Sequence, residues 1–280
     1  MGTLKLRRRR TALAAGFATL AMAAGLAAVP AQAVDKTKYI ALGDSYASGQ
    51  GAGPYQDDLC YRSENTYSEL AADTKAIKLV ANAACSGKTT QEVVSTQLGW
   101  LSKSTELVTI TAGGNNLGFG NIITACGAVM VNPTVAAAAL CDKVSADAAV
   151  KIGSGQLAAE VASMIRSVKA AAPKAEIVVT GYPYLYDPVP LNPADPMSVF
   201  IDQATQLADG LNGSIARAAG AEATYVDVTA AFAGHGILAD DPWINLDYAN
   251  LASPDNFHPN AEGYVAYYTA LSKAEVYSAP

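Results

Sequence analysis

The sequence predicts an α/β fold built on a parallel sheet. Short apolar runs rich in β-branched residues alternate with longer helical patterns along the chain, which is typical of successive β–α–β units. Within these runs, polar and apolar residues do not alternate. Such continuous apolar character indicates strands that are buried on both faces, as the strands of parallel sheets are.

Five segments are predicted to be the strands of this sheet. In chain order they are residues 39–42, 76–84, 106–114, 176–183 and 224–229, of which the second has the weakest pattern. The helical patterns fall at residues 66–74, 89–101, 133–172, 199–219 and 260–277. Each predicted strand is therefore followed by a helical segment, as crossovers between parallel strands require.

The first 33 residues are predicted to be a secretory signal peptide. A basic start is followed by an apolar run at residues 11–29 and by the small residues of a cleavage site at Ala31 to Ala33. Cleavage there would leave residues 34–280 as a single domain. A retained membrane anchor is the alternative, because the apolar run approaches the roughly 20 residues that span a bilayer. The cleavage site and the absence of a later run of that length favour export.

The charge balance argues against polyanionic partners. Residues 1–33 carry five basic and no acidic side chains, so their removal changes the net charge from −6 to −11. Nucleic acids and anionic membranes attract basic surfaces. We therefore expect no nucleic acid partner and no stable membrane anchor, and we expect the protein to be secreted and to act as a monomer.

Four cysteines remain after the signal, and an even number in an exported chain indicates two disulfides. Three pairings are possible. The preferred one joins neighbours, Cys60 with Cys85 and Cys126 with Cys141, because each bond would close a loop near a strand end. A zinc site is the competing interpretation, but the chain has no CxxC pair and only two histidines, so no metal or other cofactor is expected.

Small and polar residues stand where four of the predicted strands end. Ser45 follows the first strand, Gly87 the second and Asn115 the third, and Tyr182 lies at the end of the fourth. In a doubly wound sheet, functional groups gather outside the carboxyl ends of the strands. We therefore expect these residues to lie along one edge of the sheet.

Ser45 is a candidate nucleophile, and a serine hydroxyl needs a base that is itself oriented by a third group. His258 is the candidate base, with Asp255 three residues upstream as the candidate third member. The same residues would also fit a capped turn before a helix. His235 has no acidic residue until Asp240, so a structural or rim role is expected for it.

Acyl transfer also needs donors for the developing oxyanion. The N–H groups of Ser45 and Gly87 and the side-chain amide of Asn115 are the candidates. Other motifs fit poorly: "GGNNLGFG" lacks the Lys of a P-loop, no GxGxxG follows the first strand, and Ala47 stands where a GxSxG elbow needs its second glycine.

Four short blocks resemble those of the GDSL or SGNH hydrolase family, in order. They are GDSYASG (43–49), NAACSG (82–87), GGNN (113–116) and DNFH (255–258). The resemblance covers nearly all of residues 34–280 and is strongest to the secreted lipases and esterases of actinobacteria. It implies a three-layer α/β/α, flavodoxin-like fold with five parallel strands.

The resemblance also implies roles for the residues of the four blocks. Ser45 would be the nucleophile, His258 the base and Asp255 the third member. The Ser45 N–H, the Gly87 N–H and the Asn115 side chain would form the oxyanion hole. One position departs from the family pattern, because Asn116 stands where Gly-x-Asn-Asp has its aspartate. Activity is expected to survive, since the preceding Asn115 is the residue assigned to the oxyanion hole, and the departure concerns the hydrogen bonding that holds the loop.

The expected substrate is an acyl ester, and the expected activity is that of a secreted lipase or carboxylesterase. Apolar and aromatic residues at 117–123 and 181–190 favour a groove for an acyl chain, although the same residues could simply fill a core. A phospholipase A-type or small or carbohydrate acyl esterase is the alternative. An inactive relative that binds acyl or glycan ligands and a flavodoxin-type electron carrier are further alternatives.

Overall fold

Strands of the predicted parallel sheet lie at the centre of the computed structural model, which describes residues 35–132 and 134–278. In chain order the strands are β1 (Thr37–Gly43), β2 (Tyr55–Asp57), β3 (Arg62–Ser63), β4 (Ile77–Asn82), β5 (Leu107–Thr111), β6 (Glu176–Thr180) and β7 (Thr224–Val226). Five of them form one sheet in the order β4-β1-β5-β6-β7, with every neighbouring pair parallel. This is the flavodoxin-like order, whose switch point lies between β1 and β5.

In the described part of the chain, eight α-helices connect and cover the strands. They are α1 (Ser45–Ser48), α2 (Tyr67–Ala72), α3 (Thr90–Thr96), α4 (Phe119–Val131), α5 (Val135–Gly153), α6 (Gln156–Ala171), α7 (Pro196–Ala219) and α8 (Ala261–Lys273). The helices α2 and α8 pack together, and α3, α6 and α7 pack side by side. The two groups are the outer layers of an α/β/α sandwich, which confirms the expected fold class.

The core sits between these layers and follows from the sequence pattern. The β5 residues are all buried, as a central strand covered on both faces should be. In α6 the fully buried residues recur every three or four positions, which places them on one face of the helix against the sheet: Leu157, Val161, Met164, Ile165 and Val168. Buried tyrosines complete the core, and the hydroxyl of Tyr39, for example, forms a hydrogen bond with that of Thr109 at 2.6 Å, whereas the buried hydroxyl of Tyr277 has no partner among the described residues.

The structure refines several sequence-based boundaries. The helical region predicted at 133–172 is two helices, because Gly155 adopts φ 77° and ends the first of them. The small antiparallel hairpin of β2 and β3 was not predicted. The predicted signal peptide lies outside the described residues. Among the residues that are described, no helix has both the length and the apolar character that a membrane span requires.

Both preferred disulfide pairings are present. Cys60 pairs with Cys85 at an S–S distance of 2.03 Å, and Cys126 pairs with Cys141 at 1.95 Å. The first bond joins the hairpin region to the segment that follows β4. The second joins α4 to α5, so each bond fastens a segment that borders the carboxyl edge of the sheet.

Candidate active site

Ser45 is the first residue of α1 and stands on a tight turn at the end of β1. Gly43 makes this turn possible, because its φ is 130° and a Cβ there would lie 2.1 Å from the carbonyl oxygen of Thr111. The amide of Gln97 holds the turn by bonding the N–H and the C=O of Gly43, each at 2.8 Å. Ser45 is only 7% exposed. The strand end therefore presents the serine on a backbone with little freedom to move.

The carboxylate of Asp44 connects this turn to two other strand ends. Its Oδ1 accepts a hydrogen bond from the N–H of Tyr46 at 3.0 Å, and its Oδ2 accepts from the hydroxyl of Tyr182 at 2.5 Å. The Tyr182 oxygen in turn accepts from the N–H of Gly114 at 3.2 Å. Burial raises the pKa of Asp44 to about 7, although these hydrogen bonds act to lower it.

His258 lies on the long loop between β7 and α8, and this loop packs against the serine turn. The hydroxyl of Tyr46 donates to the carbonyl of Phe257 at 2.6 Å, and the ring centroids of Tyr46 and His258 are 5.3 Å apart. Within the described residues, no hydrogen bond joins the side chains of Ser45 and His258. Such contacts often tighten only when substrate is bound.

The group that orients His258 differs from the expected one. Its Nδ1 lies 2.9 Å from the carbonyl oxygen of Asn256, whereas the carboxylate of Asp255 accepts a hydrogen bond from the hydroxyl of Tyr55. The expected hydrogen bond between the Asp255 carboxylate and the imidazole is therefore replaced by one between the imidazole and the Asn256 carbonyl. The physical reason is the competing phenol of Tyr55, which also accepts from the N–H of Gly51 at 2.9 Å. Asp255 acts on the ring only through its charge.

The environment of His258 favours the neutral imidazole. Burial lowers the pKa of His258 to about 4, while the Asn256 carbonyl and the charge of Asp255 oppose this shift. At neutral pH the ring carries one proton, and the Asn256 carbonyl favours its place on Nδ1. Nε2 is then an acceptor, which is the form that a general base needs.

The expected oxyanion donors follow three strands that are neighbours in the sheet: Gly87 follows β4, Ser45 follows β1 and Asn115 follows β5. Neither the N–H of Ser45 nor that of Gly87 donates a hydrogen bond within the described part of the chain. Asn115 Nδ2 donates to the carbonyl of Lys88 at 3.1 Å, which places its amide against the Gly87 loop and leaves a second N–H available.

Two buried side chains that the sequence did not single out hold the loops together. The amide of Gln50 accepts from the Ser86 hydroxyl at 2.6 Å and donates to the carbonyl of Pro254. The hydroxyl of Tyr264 on α8 lies 3.2 Å from the carbonyl of Ser45 and 3.0 Å from that of Gln50. The serine turn, the Gly87 loop and the His258 loop are thus cross-linked by direct hydrogen bonds.

His235 is placed away from this constellation and makes structural contacts. Its ring stacks on that of Trp243 with centroids 3.4 Å apart, and its Nδ1 lies 2.8 Å from the carbonyl of Asp241. The expected structural role of His235 agrees with these contacts.

Comparisons with known proteins show the family of this chain. Residues 41–266 match the GDSL-like Lipase/Acylhydrolase family. The chain belongs to this family. A lipase of Streptomyces rimosus is 33% identical over 268 residues, which cover 93% of this chain and 95% of the relative. Lipase 1 of Streptomyces coelicolor is 34% identical over 257 residues, 90% of each chain.

Two solved structures are similar to this chain over most of the fold. The crystal structure of an extracellular lipase from Streptomyces rimosus has a TM-score of 0.75 at 32% identity and covers 85% of this chain and 99% of its own. The crystal structure of phospholipase A1 from Streptomyces albidoflavus has the same TM-score at 33% identity, with the same coverage of both chains.

As a member of the GDSL family, the protein is a carboxylic ester hydrolase. An oriented neutral imidazole on a loop that packs against a serine turn, with N–H groups on adjacent strand ends, supplies the kinds of group that acyl transfer uses. In residues 35–132 and 134–278, no group of three or more His, Cys, Asp or Glu side chains is placed to hold a metal ion.

Proposed function

We propose that the protein is exported and hydrolyses acyl esters of lipids through an acyl-enzyme on Ser45, with His258 as general base. The observation that carries this proposal is the convergence of the Ser45 turn, the neutral His258 and the donors of Gly87 and Asn115 at the sheet's switch point.

In the proposed reaction, Ser45 Oγ attacks the ester carbonyl while His258 Nε2 takes the hydroxyl proton. The carbonyl oxygen becomes an oxyanion that accepts hydrogen bonds from the Ser45 N–H, the Gly87 N–H and the Asn115 amide. Collapse of this intermediate breaks the bond to the alkoxide, and the imidazolium returns the proton to that leaving group. Water then attacks the acyl-enzyme by the same steps and releases the acid.

The Asn256 carbonyl, rather than the Asp255 carboxylate, is proposed to orient His258 in both half-reactions. Its 2.9 Å contact with Nδ1 fixes the tautomer and stabilises the imidazolium that forms when the proton is taken. Asp255 adds a favourable charge at longer range.

A lipid acyl chain is supported by exposed apolar side chains on the loops that follow β6 and β7. They are exposed by 42% to 69% and comprise Val189, Leu191, Leu238, Tyr248 and Leu251. These loops follow strand ends of a doubly wound sheet, which is the side on which such sheets bind their ligands. The phospholipase A1 structure at 33% identity favours diacyl phospholipids as a second substrate class.

The test is hydrolysis of p-nitrophenyl esters from acetyl to palmitoyl, with the wild type and Ser45→Ala side by side. We expect turnover to increase with acyl length in the wild type and to vanish in the variant. Preference for acetyl would refute the lipid assignment, and equal turnover by both proteins would refute the role of Ser45. Phosphatidylcholine labelled in either acyl chain then tests the phospholipid class.

Export is tested by N-terminal sequencing of protein recovered from the culture medium. A new terminus at Val34 supports the signal peptide. Protein that stays in the membrane fraction with its first residues intact would refute it.

A further inference from the structure

Asn116, the residue that departs from the family pattern, makes contacts that an aspartate could not make. Its Oδ1 accepts from the N–H of Thr90 at 2.9 Å. Its Nδ2 has three oxygen acceptors, namely Thr90 Oγ1 at 2.8 Å, Gln91 Oε1 at 3.0 Å and Glu160 Oε2 at 2.7 Å. The amide can take only this orientation, because the reverse one would set its oxygen against a carboxylate and its nitrogen against an N–H donor.

A partly buried ion pair between Lys151 and Glu160 also contacts Asn116. Lys151 on α5 donates to the Asn116 carbonyl at 2.9 Å, and its Nζ lies 3.2 Å from Glu160 Oε2 on α6. The side chains of Lys151 and Glu160 are 24% and 17% exposed. Desolvation acts to raise the pKa of Glu160, but the hydrogen bonds from Asn116, Gln156 and Lys151 together outweigh it, so the pKa is lowered. Both the amide and the main chain of Asn116 are therefore held by one charged pair.

We propose that Asn116 is a positioning residue of the oxyanion loop, held by Lys151 and Glu160. The loop is the short 3₁₀ turn Asn115–Leu117, and a shift of Asn116 moves the adjacent amide of Asn115. This inference rests on the proposed role of Asn115 as an oxyanion donor. In this cluster of Asn116, Lys151 and Glu160, the carboxylate comes from α6, so position 116 must carry a neutral donor.

An aspartate at 116 would place two carboxylates at the 2.7 Å distance that Nδ2 and Glu160 Oε2 now have. Like charges so close repel or must share a proton. In the double variant Asn116→Asp/Glu160→Gln, the amide introduced on α6 can donate to the new carboxylate, and Lys151 keeps one negative partner. The charge is moved within the cluster rather than added to it.

The experiment measures kcat, KM and Tm for the wild type, N116D, E160Q and N116D/E160Q with one p-nitrophenyl ester. We expect kcat of N116D to fall by about tenfold to a hundredfold, because small displacements of a catalytic group have effects of that size. KM should change little, since the oxyanion forms only after substrate binds. The double variant should recover kcat to within about threefold of the wild type.

Asp147→Asn is the matched control. It removes an ion pair with Lys143 on α5 that is 67% to 69% exposed and lies outside the cluster. Its kcat should equal that of the wild type. A wild-type kcat in N116D, or a folded double variant as impaired as N116D, would overturn the proposal.

If N116D does not fold, the double variant decides alone, because recovery of folding and turnover together supports the cluster and their absence refutes it. The same assays include Ser45→Ala. If the wild type hydrolyses the ester no faster than Ser45→Ala does, the proposed function is refuted. That result is distinct from any difference in kcat among the variants at positions 116 and 160.

Discussion

The hydroxyl of Tyr182 donates a 2.5 Å hydrogen bond to the carboxylate of Asp44, the residue directly before Ser45. The partner is needed because Asp44 is 1% exposed, and a buried carboxylate is costly unless it accepts hydrogen bonds. Even with this bond the pKa of Asp44 is about 7, whereas burial lowers the pKa of nearby His258 to about 4. Two groups at the candidate site are thus shifted in opposite directions.

These shifts give Asp44 and His258 opposite effects on the pH dependence of stability. Between pH 3.8 and 7 the folded chain keeps a proton on Asp44 that the unfolded chain loses, so this contribution to the free energy of unfolding falls as pH rises. Between pH 4 and 6.5 the unfolded chain protonates His258 and the folded chain does not, so this contribution is lost as pH falls.

We therefore expect Asp44→Asn and His258→Gln to change that pH dependence in opposite senses. Relative to the wild type, Asp44→Asn should become more stable as pH rises from 4 to 6.5, and His258→Gln less stable, each by at most about 1.4 kcal/mol per pH unit. Urea unfolding at several pH values measures both slopes. Parallel curves for all three proteins would show that neither group has the shifted pKa.

The activity should persist into mildly acidic solution. A general base acts in its neutral form, and His258 stays neutral down to a pH of about 4. We expect kcat/KM to be flat between about pH 8 and 5 and to fall by half near pH 4. A midpoint near pH 6.5 would mean that the pKa of the His258 imidazole is not lowered. In Asp44→Asn the midpoint should remain below about pH 5, because Asp44 transfers no proton in the proposed reaction.

Asp255→Asn should have a much smaller effect on turnover than His258→Ala. The imidazole is oriented by the Asn256 carbonyl, and an asparagine at 255 can still accept the hydrogen bond from Tyr55. We expect kcat/KM to fall less than about tenfold in Asp255→Asn and about 10⁴-fold in His258→Ala. Steady-state kinetics on one ester distinguishes these cases. A loss of about a thousandfold in Asp255→Asn would restore the carboxylate as the third member.

The two disulfides should contribute similarly to stability but differently to activity. They close segments with separations of 25 and 15 residues, and replacement of either pair by serines should lower the free energy of unfolding by about 3 kcal/mol. Only the Cys60–Cys85 pair lies beside the Gly87 loop, where the Ser86 N–H donates to the Cys60 carbonyl at 3.2 Å. Its loss should also lower kcat. Equal kcat for both serine variants in the folded state would contradict this difference.

The five-stranded sheet could be predicted from the sequence because its signals are local. Each strand is a short apolar run followed by a helical pattern, and the order of the strands follows from the family resemblance. The hairpin could not be predicted, because β2 and β3 have three and two residues and no apolar pattern. The break at Gly155 was hidden by the surrounding alanines, which fit one long helix as well as two.

The residues of the candidate site could be predicted from the sequence where they belong to short motifs. Ser45, His258, Gly87 and Asn115 belong to short motifs that can be read directly. The Asn256 carbonyl has no sequence signal, since every residue has one. Asp255 was misassigned to the ring because its real partner, Tyr55, lies 200 residues away and only the folded loops bring the two together.

Tyr264 connects α8 with the turn that carries Ser45. Its hydroxyl joins the carbonyls of Ser45 and Gln50 from positions 219 and 214 residues later in the chain. During synthesis on the ribosome, Ser45 therefore emerges among the first segments of the domain, and His258 and Tyr264 emerge among the last. The turn that carries Ser45 therefore lacks its Tyr264 contact until the segment that forms α8 has been made.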